Sequence, residues 1–435
     1  MYSETVRELL EDKNIDVGDQ IKADSYEGKL MPKPESGNPE TLVIKLESGY
    51  NVGIKTDDIE LIEKNELEES EKNEVVHSPE NDDILVLHTG GTIASRVSYE
   101  KGGVKPAFDP EDLVEMYPEL SEEVNIHSEV VAQMLSEDME PEHWQEIAEK
   151  IHEVKDEYDG IIVGHGTDTM AYTGAALTLM LQNIDTGVLL VGSQRSSDRP
   201  STDATMNMYC AGKFLSETEF EGIGICMHAS SNDDECIVIP AAKARKMHTS
   251  RRDAFEPINS EEIGRINYEN GKIKTRFEKE HGDYQKKTGL NKDVGFLKVR
   301  PGMNSEEIDF LIDQDYDGVI IEGTGLGHMP VNAFDDKTKH HEEILEKVSE
   351  LAEDTLVVMS SQCINGRVNM NVYDAGLKIQ NAGVVMAEDM HPELAYVKLM
   401  WSIGTTDSLE EAEHVFQKNV NGEINQRTPY KEQDN

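Results

Sequence analysis

Cysteine is scarce: four among 435 residues, at Cys210, Cys226, Cys236 and Cys363, with no C-x-x-C pair. That spacing excludes a disulfide framework and a cysteine zinc site, and leaves buried thiols in a reducing cytosol as the plain reading. Basic charge is scarce as well. Lys and Arg number 41 against 87 Asp and Glu, a net charge of −46. Such a surface repels phosphate backbones rather than binding them. No apolar run approaches the roughly 20 residues of a membrane helix. The start, Met1-Tyr2-Ser3-Glu4-Thr5, has neither the basic patch nor the apolar core of a secretory leader. The expectation is a cytoplasmic protein that makes no membrane contact.

Acidity at this level accompanies either disorder or adaptation to molar salt, where self-repulsion is screened over about 3 Å. The acids run through segments that also carry strand-like apolar runs. That disfavours disorder and favours a halophilic cytosol.

Residues 14–62 read as a small β module. Thr41–Leu46 and Tyr50–Ile54 are strand-like, Val17-Gly18-Asp19 and Ser48-Gly49 are turn signals, and 31–39 is a Pro-rich loop. Several short strands in about 50 residues suggest a small barrel. Residues 57–83 then carry twelve acids against two lysines, a linker by composition in at least its second half. After Asp83 the texture changes. Ile84–Leu87, Ile161–Val163, Val188–Val191, Ile223–Cys226, Val319–Ile321 and Leu356–Met359 are unbroken apolar runs, as in strands buried on both faces of a parallel sheet. Helical patterns lie between: Trp144, Ile147, Ile151 and Val154 follow Pro141 at helical spacing. Such alternation predicts doubly wound α/β structure. The interval from Phe255 to Phe296 is weakly patterned. The expected organisation is a β module over 1–70, an acidic linker over 71–83, α/β domains over 84–285 and 294–420, and a polar tail over 421–435.

Three segments can carry chemistry. The strand Leu85–His88 runs into Thr89-Gly90-Gly91-Thr92-Ile93-Ala94-Ser95, which places hydroxyls and open backbone amides at the carboxyl edge of a parallel sheet, where such sheets bind ligands. The strand Ile161–Val163 leads likewise into Gly164-His165-Gly166-Thr167-Asp168-Thr169-Met170. Thr167 or Asp168 as a mere helix cap is the plain alternative. The third segment, Lys243 to Phe255, holds five Lys and Arg within ten residues. It is either a solvated basic face or the source of a Lys that activates a Thr nucleophile. Gly323-x-Gly325-x-Gly327 lacks dinucleotide spacing, and no P-loop pattern occurs.

Together these segments resemble the asparaginase/glutaminase amidohydrolases: Thr89-Gly90-Gly91-Thr92-Ile93-Ala94, His165-Gly166-Thr167-Asp168-Thr169-Met170, and Lys246 nine residues before Phe255. Ser136-Glu137-Asp138-Met139, Glu322–His328 and Ser361-Gln362-Cys363 extend the likeness, which covers about 83–420. Tyr99, Gly102–Ala107 and Arg245–Phe255, with the additional β module, resemble one branch of that family, the D subunits of archaeal glutamyl-tRNA(Gln) amidotransferases.

The resemblance implies a two-domain asparaginase-like α/β fold preceded by a small β-barrel-like module. It implies Thr92 as nucleophile toward the carboxamide of glutamine, with Thr167, Lys246 and Asp168 as its activating chain and Tyr99 on a loop over the site. Ser136, Glu137, Gly91 and Gly166 would bind substrate. No metal or cofactor is expected in this chain. ATP and magnesium would act at a tRNA-binding partner of the E-subunit type. That partner would hold Glu-tRNA(Gln) and receive ammonia from a homodimer of this chain within a heterotetramer. A free-standing L-asparaginase and a non-catalytic scaffold of the same fold are the alternatives.

Overall fold

The computed structural model describes residues 2–31, 38–46, 51–64, 77–90, 95–98, 103–106, 113–114, 116–195, 201–277 and 282–427. Alternating apolar residues build the first unit. Ile21 and Ala23, and Leu42 and Ile44, fall on the same faces of their strands and are buried. The strands Gln20–Ala23, Tyr26–Met31, Leu42–Leu46, Asn51–Ile54 and Ile59–Glu63 form one antiparallel sheet. Asn51–Ile54 and Ile59–Glu63 occupy opposite edges of it, although only residues 55–58 separate them, so the sheet has to curl. A helix, Glu4–Asp12, capped by the Ser3 hydroxyl, lays Val6 and Leu10 on the same core.

Where alternation gives way to unbroken apolar runs, the strands are buried on both faces. Ile84–Leu87, Ile161–Val163 and Val188–Val191 are all at most 1% exposed. They lie in an eight-stranded sheet ordered 273–275, 264–267, 235–240, 222–228, 187–191, 160–164, 83–90, 125–134. The last five strands of that order are mutually parallel. The helix Pro141–Val154 covers one face, with Trp144, Ile147 and Ile151 against Leu85, Leu87 and Ile161. The helix Ala204–Glu217 covers the other, with Met208 and Phe214 against Ile84, Val86 and Ile162. The chain leaves the strand 83–90 for 125–134 on one side and then crosses to 160–164 on the other. The topological switch point, where open α/β sheets bind ligands, is therefore the carboxyl end of 83–90.

A second parallel sheet, 294–298, 318–323, 356–361 and 385–386, follows in chain order. The helix Met170–Met180 is buried along nearly its whole length. It packs against the helix Pro392–Gly404, so one core contains Leu85 and Val163 of the first sheet together with Val358 of the second and Leu394 and Trp401 of that helix.

Three segments carry more structure than their composition suggests. The weakly patterned interval 255–296 adds the short antiparallel strands Phe255–Pro257, Gly264–Asn267 and Ile273–Thr275. The end of the acidic linker is held in place: the Asn125 side chain accepts from Ser78 N and donates to the Ser78 and Asn81 carbonyls. The polar tail does not begin at 421. Glu423 is fully buried against Lys398, and Asn425 donates to Asp389 and to the Asn259 carbonyl. Polar composition misled there, because Glu423 is buried in a matched pair and Asn425 is tied down by hydrogen bonds.

Candidate active site

The strands 83–90 and 160–164 run side by side, with Gly164 level with His88. Their loops therefore leave the same edge together. The Thr89 hydroxyl, 1% exposed, donates to the Gly164 carbonyl at 3.0 Å and ties the two strand ends. Gly90 has φ +107°, and a Cβ there would lie 2.2 Å from the Met134 carbonyl oxygen, so both the angle and the approach demand glycine. Gly91, Thr92 and Tyr99 lie outside the described residues. Ser95–Ser98 pairs antiparallel with Gly103–Pro106 on either side of Tyr99.

In the neighbouring loop His165 is buried and held neutral. Burial pushes its pKa down to about 4. Its Nδ1 donates to the Gly166 carbonyl at 2.7 Å, and Nε2 accepts from the Thr173 hydroxyl at 2.8 Å. The loop conformation that presents Thr167 and Asp168 is thus locked from below. The helix-cap alternative does not hold for either residue. Thr169 occupies the cap position of Met170–Met180, and even its hydroxyl goes elsewhere, to the Ser136 carbonyl at 2.7 Å.

Thr167 and Asp168 instead meet Lys246. The Lys246 Nζ donates to Thr167 Oγ1 at 2.8 Å and to Asp168 Oδ1 at 2.7 Å. Lys246 and Thr167 are largely buried, while Asp168 is exposed. Lys246 arrives on the strand Ala244–Lys246, which pairs antiparallel with Phe255–Pro257. The nine-residue spacing between Lys246 and Phe255 becomes a cross-strand pair, with Phe255 buried to hold the ladder down.

Ser136 opens a turn of 3-10 helix, Ser136–Asp138, and is 6% exposed; Glu137 beside it is exposed. Ser136 touches the loop that carries Thr167: a Cβ on Gly166 would lie 2.7 Å from Ser136 Cβ and 2.8 Å from its Oγ. The structure thus brings together Ser136, Gly166, Thr167, Asp168 and Lys246. Sequence reasoning missed Gly192. A Cβ there would lie 2.7 Å from Thr167 Cγ2 and 2.8 Å from the His165 carbonyl oxygen. Its position just past the buried strand Gly187–Val191 was the available signal.

The basic run is not a solvated face. Lys243 pairs with Asp389, Arg245 with Glu393, Lys246 with Asp168, Arg251 with Asp253 and Arg252 with Asp233. Lys243 and Asp389 are almost wholly buried. The strand carrying Lys246 is therefore pinned to residues 389–393 of the second domain, by Lys243 just before it and Arg245 within it. A cavity of about 720 Å³ lined by Asp185, Gly222, Asp283 and Asn421 contains none of these groups. It lies at the opposite, amino-terminal end of the strands Gly187–Val191 and Gly222–His228 and has no part in this site.

Known proteins resemble the chain in sequence and fold. Residues 83–280 match the family Asparaginase, N-terminal, residues 293–416 match the Glutaminase/Asparaginase C-terminal domain, and residues 15–64 match the GatD N-terminal domain. A thermostable L-asparaginase from Thermococcus kodakarensis superposes with a TM-score of 0.71 at 31% identity, covering 79% of this chain and 99% of its own. L-asparaginase I from Vibrio cholerae gives 0.69 at 27% identity, with the same coverage. The fold and these matches thus define a two-domain protein of the asparaginase class. Relatives similar along the whole chain narrow this. The D subunit of glutamyl-tRNA(Gln) amidotransferase from Pyrococcus abyssi is 42% identical over 98% of both chains. The same-named protein from Methanopyrus kandleri is 41% identical over 97% of this chain and 94% of its own. The chain belongs to the family of glutamyl-tRNA(Gln) amidotransferase D subunits.

Proposed function

We propose that this chain is the glutaminase of a tRNA-dependent amidotransferase, releasing ammonia that a partner subunit uses to convert Glu-tRNA(Gln) to Gln-tRNA(Gln) with ATP. The observation that carries the reading is Lys246 Nζ held between Thr167 Oγ1 and Asp168 Oδ1 at 2.8 and 2.7 Å, beside the switch point where Thr89 and Gly90 end the strand Asp83–Gly90.

A Thr hydroxyl is a weak nucleophile and needs a base. In this reading the Thr92 oxygen attacks the side-chain carbonyl carbon of glutamine. Its proton passes through the Thr167–Lys246 pair to the amide nitrogen. The C–N bond breaks, ammonia leaves, and a γ-glutamyl ester remains on Thr92. Water then attacks the ester, releases glutamate and returns the proton to Thr92. Asp168 orients Lys246. For Lys246 to take a proton from Thr167, its amine must first have given one up, and the bond between them then reverses, the Thr167 hydroxyl donating to Nζ. Ser136 and Glu137 bind the α-carboxylate and α-ammonium of the substrate, Gly91 and Gly166 shape the floor, and Tyr99 closes over the nucleophile.

No metal enters these steps. ATP and magnesium belong to the partner, a tRNA-binding subunit of the E type. Two copies of this chain pair within a heterotetramer in a salt-rich cytoplasm. The GatD-type module at residues 15–64 supports this reading over that of a free-standing L-asparaginase. Thr92→Ala and Lys246→Ala test it. Each should abolish ammonia release from glutamine in a folded protein, with losses that do not add in the double variant, because the residues act as one unit. Near-normal turnover by either variant would overturn it.

A further inference from the structure

At the amino end of the strand Asp83–Gly90, seven residues from the carboxyl edge and so about 20 Å from the catalytic loops, stands a cluster that the mechanism does not use. His127 Nε2 lies 3.1 Å from Asp83 Oδ1. The His77 ring lies against that of His127, with centroids 4.6 Å apart. One ligating atom from each of His77, Asp83 and His127 falls within 4.8 Å of the other two. The sequence conceals this set: the residues are spread over positions 77, 83 and 127, and parallel pairing of 83–90 with 125–134 brings the last two together.

We propose that His77, Asp83 and His127 form a binding site for a divalent transition ion of the zinc class. This departs from the expectation that the chain holds no metal. Two imidazoles and one carboxylate suit borderline ions such as Zn²⁺, Co²⁺ or Ni²⁺. Bond lengths near 2.1 Å place tetrahedral ligand atoms about 3.4 Å apart. Small side-chain rotations therefore close the triad on an ion, and His77 is exposed and has room for them.

Supporting groups are already in place. Asn125 Nδ2 donates to Asp83 Oδ1 at 3.0 Å, and Tyr158 packs edge-on against His127. Outer partners of this kind orient metal ligands. Asp159, whose carboxylate accepts from Asp83 N at 2.8 Å, adds local negative potential, as does Asp82. Water completes the coordination on the open side. His77 precedes the strand Asp83–Gly90, so the ion would staple the chain entering the first α/β domain to that strand and to the edge strand Asn125–Met134. That adds to the Asn125 clamp on Ser78 and Asn81.

The test uses the full chain, stripped with a chelator and kept in concentrated KCl, with millimolar Mg²⁺ occupying weak carboxylate sites. ZnCl₂ is titrated calorimetrically and CoCl₂ by visible absorption. One saturable site per chain is expected, with a rise in melting temperature. His77→Gln changes an exposed residue, and Asp83→Asn is isosteric, so both variants should fold. Each should weaken Zn²⁺ binding by more than about tenfold, the least that even loss of an outer partner costs, and should remove the melting shift. Several weak Zn²⁺ sites, or affinity unchanged in both variants, would overturn the proposal.

Discussion

Gly166 and Ser136 approach so closely that a single added carbon on Gly166 would fall 2.7 Å from Ser136 Cβ. Thr167, the next residue, is bonded to Lys246. Gly166→Ala should therefore displace Thr167 relative to Lys246 without unfolding the sheet below. Misplacement by about 1 Å costs roughly 10²-fold in rate. Glutamine hydrolysis should fall by about that factor while circular dichroism stays native. Activity within about threefold of the parent would mean that the loop tolerates the shift.

The Lys243–Asp389 pair anchors the strand that carries Lys246. Burial pulls the Lys243 pKa down and the Asp389 charge opposes it. Lys243→Met leaves Asp389 buried without its counter-charge, and breaking such a pair costs about 3–5 kcal/mol. Equilibrium unfolding should show that loss. The double variant Lys243→Met with Asp389→Leu should recover a large part of it. Two losses that simply add would mean that the pair is not coupled.

Acid sensitivity follows from His88 and His165. Burial depresses both pKa values to about 4, below the unfolded value near 6.5. The unfolded chain takes up protons first, so stability is complete above about pH 6.5 and is lost as the pH falls toward 4. Each histidine should contribute about 2 kcal/mol of loss by pH 5. Unfolding free energies at pH 7 and 5 check this, with His165→Gln as the comparison. A variant as acid-sensitive as the parent would remove His165 from the account.

Salt should act on the whole particle. A net charge of −46 repels itself over about 10 Å at 0.1 M salt but only about 3 Å at 1 M. The melting temperature should rise with KCl. A flat or falling dependence would contradict the reading of the acidity as salt adaptation.

What the sequence revealed and what it hid divide along physical lines. Ile161–Val163 and the spacing of Trp144, Ile147 and Ile151 are local patterns, and they fold as the strand and helix they suggest. Thr167, Asp168 and Lys246 were legible because the motif resemblance linked segments 78 residues apart. The partners of Lys243 and Arg245 were not, because Asp389 and Glu393 come from another domain, and a run of basic residues reads the same whether solvated or paired. Glu423 was misread for the same reason: its burial depends on Lys398 and not on its neighbours in sequence. The motif named Gly166 and the end of a buried strand marked Gly192, but the close approaches that demand glycine there are made across the sheet edge, and no local pattern records those distances.

The central claim is that glutamine hydrolysis here feeds a partner. Glutamine carrying an isotopic amide nitrogen, supplied to this chain with its partner subunit, Glu-tRNA(Gln), ATP and excess unlabelled ammonium, tests it most directly. The account predicts that the tRNA-bound glutamine carries the label of the donor amide and that Lys246→Ala abolishes the transfer. Label diluted to the level of the solution ammonium, or rapid asparagine hydrolysis indifferent to partner and tRNA, would contradict it.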